Sequence, residues 1–186
     1  EMSATSMHKE KRRSLSQRAG KAADLVKTNS GAWIVWCETN EEADALKAEI
    51  PEAVEVRGSD SPERKEDALD AFSRGDERII ITKPSLAGFG LNWQHCQNVI
   101  FASLSYSYEQ FYQAVRRSWR FGQTKPVNVN VILSSIELKL WETVAEKMRA
   151  HDDMKRAMRA ASKAFAQGIH HNVKLDYNPK HIGTLP

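Results

Sequence analysis

Residues 33–50 read WIVWCETNEEADALKAEI. Five apolar residues run without a break from Trp33 to Cys37. Thr39, followed three residues later by Glu42, then opens a segment in which Ala43, Leu46 and Ile50 recur at helical spacing. An unbroken apolar run is the pattern of a strand buried on both faces, and Thr-x-x-Glu before a periodic segment is a capping box. The same alternation repeats along the chain. Further strands are expected at Ala53–Val56, Arg78–Thr82, Asn98–Ala102 and Val127–Leu133, the last alternating at first and so placed nearer an edge. Ser61 then Pro62 starts a helix carrying Ala68, Leu69 and Phe72, and Ser107 caps one running from Tyr108 through about Trp119. Strands alternating with helices at these lengths predict an α/β fold: a doubly wound, mainly parallel sheet flanked by helices.

Around this core, residues 1–30 read as a basic helical lead-in or linker, 31–135 as the α/β lobe, and 136–186 as a helical extension with a tail. In the extension Leu138, Trp141, Val144, Met148, Met154, Met158, Ala161 and Phe165 recur at helical spacing, which predicts a long helix or helix pair. His170, His171 and His181 in the tail lack the spacing of a metal site. No metal ligand is assigned.

Composition bounds the function classes. The chain has 186 residues, 41% hydrophobic and 27% charged, as in a soluble globular domain. No apolar run approaches the roughly 20 residues that span a bilayer, and the polar, basic start has no signal-peptide pattern, so no membrane partner is expected. Two cysteines, Cys37 and Cys96, in apolar surroundings suit free thiols in a reducing, intracellular compartment. A first residue of Glu hints at a piece excised from a longer chain. The net charge of +3 is mild. Its distribution says more: Lys9, Lys11, Arg12, Arg13, Arg18 and Lys21 cluster at the start, where a solvated, solubilising face is the ordinary expectation.

Basic loops on an α/β sheet invite a search for phosphate-binding parts. Leu15 stands where GxxxxGK needs its first glycine before Gly20-Lys21, and no GxGxxG opens a helix. Asp76-Glu77 precedes a strand, whereas a magnesium-holding carboxylate belongs at a strand's C-terminal end. What the chain does carry is QAVRRSWRFGQ over 113–123, with Arg116, Arg117 and Arg120 within five residues. Read as a continuing helix, Arg117 and Arg120, three apart, share a face and can converge on one target, while Arg116 points elsewhere. Guanidinium forks suit phosphate oxygens and stay charged at any physiological pH. Two further stretches matter: Arg57-Gly58-Ser59 with Arg64 and Phe72, and the small-residue run that follows the strand ending at Thr82, through Gly88 and Gly90 to Leu91-Asn92.

In this order, the three stretches resemble the second, C-terminal RecA-like lobe of superfamily-two helicases, most closely the Swi/Snf-type DNA translocase branch. Gln113, Arg117, Arg120, Gly122, Gln123 and Val127 fall on that branch's last motif, Gly88, Gly90, Leu91 and Asn92 on the preceding one, and Gly58, Ser59, Arg64 and Phe72 on an earlier turn and helix. The likeness runs from about Trp33 to Ile136. The chain departs from the pattern at Pro84-Ser85, Ala87, Gln97, Arg116 and Trp119, which suggests a divergent bacterial or phage-like, cytoplasmic member.

The resemblance implies an ATP-hydrolysing helicase or translocase whose ATP and Mg2+ are held mainly by an N-terminal RecA-like lobe of the same parent chain. Arg117 and Arg120 would be arginine fingers, and Gln113, Gly88, Gly90, Asn92 and Gln123 would shape the nucleotide cleft. Nucleic acid, DNA with RNA also possible, would meet Thr39, Asn40, Lys83, Ser85 and Arg116. Thr39 is read both as this contact and as a helix cap, and Trp93 either stacks on a base or lies buried beside a strand. The isolated chain is expected to be a monomer without ATPase activity. The alternative is a non-catalytic DNA-binding or protein-interaction module that keeps the fold.

Overall fold

The computed structural model describes residue 9 and residues 11–86, 91–105 and 107–166. In chain order the elements are α1 (Leu15–Val26), β1 (Trp33–Trp36), α2 (Asn40–Glu49), β2 (Val54–Glu55), α3 (Pro62–Arg74), β3 (Ile79–Thr82), β4 (Asn98–Phe101), α4 (Tyr108–Val115), β5 (Asn128–Val131), a 3-10 turn (Ser135–Glu137) and α5 (Leu138–Ala166). All five expected strands are present. They form one sheet in the order β2-β3-β1-β4-β5, every pairing parallel. The three central strands are buried residue by residue, and this is why their sequences do not alternate. The alternating strand, β5, is an edge, with Asn128 and Val129 exposed.

Strand parity divides the core. Trp33, Val35, Cys37, Ile79, Ile81, Ile100 and Ala102 face α1 and α2, meeting Ala19, Ala22, Ala23, Val26, Ala43, Leu46 and Ile50. The other face is aromatic: Trp36 lies against Trp93 and Phe101, Phe72 of α3 meets Trp93 edge-on at 5.2 Å, and Phe101 meets Phe111 of α4 at 4.6 Å. Each such side chain taken out of water contributes on the order of 1.5–3 kcal/mol. The lead-in therefore includes a layer of the lobe, since α1 supplies four residues to the core.

Local signals account for the helix ends. Thr39 Oγ1 accepts the Glu42 N–H (3.2 Å) while Glu42 reaches back to the Thr39 N–H, the expected capping box. Ser61 and Ser107 cap α3 and α4 through the N–H groups of Arg64 and Gln110, both at 3.2 Å. Gly75 ends α3 at φ 83°, a left-handed conformation that costs glycine nothing.

The chain divides into two compact units, residues 1–144 and 145–186. In the first, the opening of α5 buries Leu140 and Val144 and sets Trp141 edge-on to Phe111 at 5.9 Å. The second, described as far as Ala166, is the remainder of α5, with Met154 and Met158 exposed. The long-helix expectation is met by a single helix of 29 residues. Among the described residues no helix is long and apolar enough to cross a membrane.

Candidate nucleotide cleft and nucleic-acid interface

The arginine stretch does not continue as helix. α4 stops at Val115, and Arg117 N–H and Ser118 N–H turn back to Ala114 O and Val115 O, three residues earlier (both 3.2 Å). The shared helical face expected for Arg117 and Arg120 is thus absent, and something else holds the turn that carries them. That is the segment Leu91–Gln97, on which the turn docks. Trp93 N–H donates to Arg117 O (2.9 Å), Arg120 Nη1 to Leu91 O (3.3 Å), and Gln94 Nε2 to Phe121 O (2.7 Å). Gln123 Nε2 closes the turn on Gln94 O (2.9 Å) and Ser118 O (3.0 Å), and its Oε1 accepts the Lys125 N–H. Gly122, at φ 88°, supplies the reversal.

The electrostatics match an anion site. Arg117 is half-buried, and its pKa is lowered first by burial and then by the charge of Arg120. Like charges that act on each other, one of them partly desolvated, are stabilised by an anion set between them. Among the described residues no carboxylate forms an ion pair with Arg120. Arg116 lies over the Trp119 ring at 5.6 Å, and beside it Trp119 and Phe121 are 50% and 99% exposed. Gln113 is exposed on α4, one turn before Arg117. Asn92 Oδ1 accepts the Gln94 N–H (3.3 Å), bracing the segment that carries the turn. Gly88 and Gly90 lie outside the described residues.

The remaining sequence-predicted residues are elsewhere. Thr39 and Asn40 follow the C-terminal end of β1, and Lys83 and Ser85 follow β3, where open α/β sheets bind ligands. The arginine turn leads instead into the N-terminal ends of β4 and β5, where Asn128 N–H donates to Gln97 O (2.7 Å). The chain thus leaves the arginine turn at the strand end opposite to the one that presents Thr39, Asn40, Lys83 and Ser85. Arg116, grouped in the sequence with the nucleic-acid candidates, sits with the arginine turn.

Trp93 is fully buried, its Nε1 donating to Ser73 Oγ at 2.9 Å, which removes the base-stacking alternative. Cys37 and Cys96 are free and buried, and desolvation pushes both thiols up to about 12, so neither is nucleophilic.

One site was missed in the sequence. Arg18, expected on a solvated basic face, is 4% exposed. Its Nη1 donates to Glu42 Oε1 (3.0 Å) and Ala102 O (2.7 Å), its Nη2 to Lys11 O (2.7 Å) and its Nε to Ser14 Oγ (3.2 Å). Glu42 Oε2 also accepts from Ser103 Oγ (2.7 Å) and Glu38 N–H (2.7 Å). The signal was legible: Arg18 stands four residues before Ala22 and eight before Val26, on the apolar stripe of its helix.

A five-stranded parallel sheet with an arginine turn pinned to the segment before β4 defines a RecA-like lobe of the superfamily-two type. The crystal structure of the C-terminal part of the Fun30 ATPase domain superposes with a TM-score of 0.61 at 24% identity, covering 68% of this chain and 44% of that one. Residues 8–122 match the family described as helicase conserved C-terminal domain, and the chain belongs to that family. It is 31% identical over 85 residues to the bifunctional helicase and thymine dioxygenase JBP2 of Leishmania braziliensis, 45% of this chain and 8% of the relative. With chromodomain-helicase-DNA-binding protein 1-like of Danio rerio it shares 31% identity over 97 residues, 51% of this chain and 10% of the relative. The resemblance to the Swi/Snf-type branch is borne out by such relatives. The matched stretch is a tenth or less of their length.

Proposed function

We propose that the chain is the second lobe of an ATP-dependent translocase acting on nucleic acid, duplex DNA in the first instance. A first lobe of the same parent would hold most of the ATP and Mg2+. What supports this reading is that Arg117, through its backbone carbonyl, and Arg120, through its guanidinium, are both anchored to the segment Leu91–Trp93, with the charge of Arg120 acting on Arg117. ATP with its magnesium supplies a phosphoryl group that leaves with its charge spread over oxygens. Arg117 and Arg120 set two fixed positive charges against that charge. Gln123 and Asn92 hold the turn that aims them, and Gln113, Gly88 and Gly90 contribute cleft wall. Thr39, Asn40, Lys83 and Ser85, at the other end of the strands, meet nucleic-acid phosphates, with Arg116 near the cleft rim. In this reading the lobe responds to ATP at one edge and grips a backbone at another, through closure of the kind common around ligands.

The test is ATP hydrolysis by the two-lobe parent with and without duplex DNA. Arg117→Ala and Arg120→Ala should each lower the DNA-stimulated rate by about 10³ to 10⁵, with melting temperatures little changed. Wild-type rates from both variants would refute the assignment and favour a binding module that keeps only the fold. The isolated chain should hydrolyse no ATP, because the phosphate loop is not part of it.

A further inference from the structure

Between Glu38 and Leu46 the chain carries four carboxylates, Glu38, Glu41, Glu42 and Asp44, and no base. This is also the loop and first turn that present Thr39 and Asn40 to nucleic acid in the reading above, on which the following inference rests. Left to itself such a stretch repels phosphate. Three of the four are paired, and the fourth, Glu38, lies within the field of a lysine. Arg12 Nε and Nη2 donate to the two oxygens of Glu41 at 3.1 and 2.6 Å. Arg18 pairs with Glu42 at 3.0 Å. Lys11, its Nζ fixed on Leu104 O at 2.7 Å and lying 3.8 Å from Glu137 Oε1, faces Glu38. Burial raises the pKa of Glu38, with Glu42 acting the same way and Lys11 and Lys83 opposing. Asp44 pairs with Arg57. Two of the four, Glu41 and Glu42, therefore draw their partners from one short segment ahead of the sheet, and Lys11 of the same segment acts on Glu38 through its charge.

We propose that Lys11–Arg18 is a charge-neutralising strap, which converts the acidic β1–α2 loop into a surface that a nucleic-acid phosphate backbone can approach. Lys11, Arg12 and Arg18 are not themselves a nucleic-acid arm. Arg18 is buried, the Lys11 side chain is 15% exposed, and the fork of Arg12 is spent on Glu41. A strap of this kind also makes the segment leading into the lobe a condition for binding.

The exposed pair Arg12–Glu41 allows a test that spares the fold, since its side chains are 73% and 55% accessible. Arg12→Gln, Glu41→Gln and the double variant of this chain are compared for binding to a short fluorescein-labelled duplex DNA over a salt series, with melting temperatures alongside. Arg12→Gln should weaken binding about two- to threefold at low salt, and Glu41→Gln should tighten it by a similar factor. The double variant should return to wild type, and all four should converge at high salt. A double variant as weak as Arg12→Gln would mean that Arg12 touches DNA directly and overturn the strap, as would an unchanged Arg12→Gln. Affinities that follow melting temperature would also overturn it, by showing a merely structural role. Absence of binding by the wild-type chain is a separate result, which removes the loop from the nucleic-acid path and the strap with it.

Discussion

Glu42 lies in the first turn of α2, and its two oxygens divide the work of three loops. One takes Arg18; the other takes the Ser103 hydroxyl and the N–H groups of Glu38 and Thr39. Burial pushes its pKa upward, but the Glu38 backbone, Ser103 and Arg18 outweigh burial, and the net shift is down. A charge with this many donors is stable inside only as a set. Glu42→Gln leaves the Arg18 guanidinium without its counter-charge at 4% exposure, and breaking a buried pair from one side costs about 3–5 kcal/mol. Urea unfolding of the variant should therefore show a much lower midpoint; an unchanged midpoint would mean that water replaces the carboxylate's charge. At Trp93, Phe keeps the ring packing against Phe72 and loses the bond to Ser73. Trp93→Phe should cost about 1 kcal/mol, visible in the same measurement.

Among the elements, the short ones are the informative ones. α4 runs for eight residues and then gives way to turns, because its C-terminal backbone is claimed by Leu91–Gln97 rather than by a further helical turn. The periodicity of 108–119 contains no sign of this, since the competing partner lies some twenty-five residues earlier in the chain. α3 behaves oppositely, with both ends written locally by Ser61-Pro62 and Gly75. A Cβ at Gly75 would meet nothing within 4 Å, so the effect of Gly75→Ala is purely that of the left-handed backbone. The substitution should destabilise by about 1 kcal/mol, lowering the denaturation midpoint with an unchanged slope. A neutral result would show that the helix end relaxes to another cap.

At the scale of the whole molecule, the C-terminal edge of the sheet is an assembly of charges drawn from the lead-in, the loop after β1 and the turn before α5, joined by neutral polar groups of the loop after β4. Its pH response follows from the signs. Glu41 and Glu42 have lowered pKa values, so the stability they confer is present above the unfolded carboxylate value of about 4.3 and is lost as pH falls through their folded values. Glu38 is raised, so its ionised form is a burden that grows as pH climbs from the unfolded value through the folded one. Glu38→Gln should therefore be more stable than wild type at neutral pH. The gap should narrow on acidification and vanish below about pH 4, as followed by thermal melting across a pH series. A gap that widens in acid would reverse the assigned sign.

The sequence by itself determined the sheet and its caps. Strands buried on both faces must be continuous apolar runs, and Thr39, Ser61 and Ser107 act on N–H groups three residues away, so both kinds of information are local. It also carried the arginine motif and, through it, the family. Only the tertiary structure decided which arginines meet which partners. It put Arg18 inside, made Arg12 the counter-ion of a loop some thirty residues away, and pinned Arg117 and Arg120 to Leu91–Trp93 after their helix had ended. A charge's partner is chosen by proximity in space and by the cost of leaving it buried alone. Neither is written in the spacing of the residue that bears it.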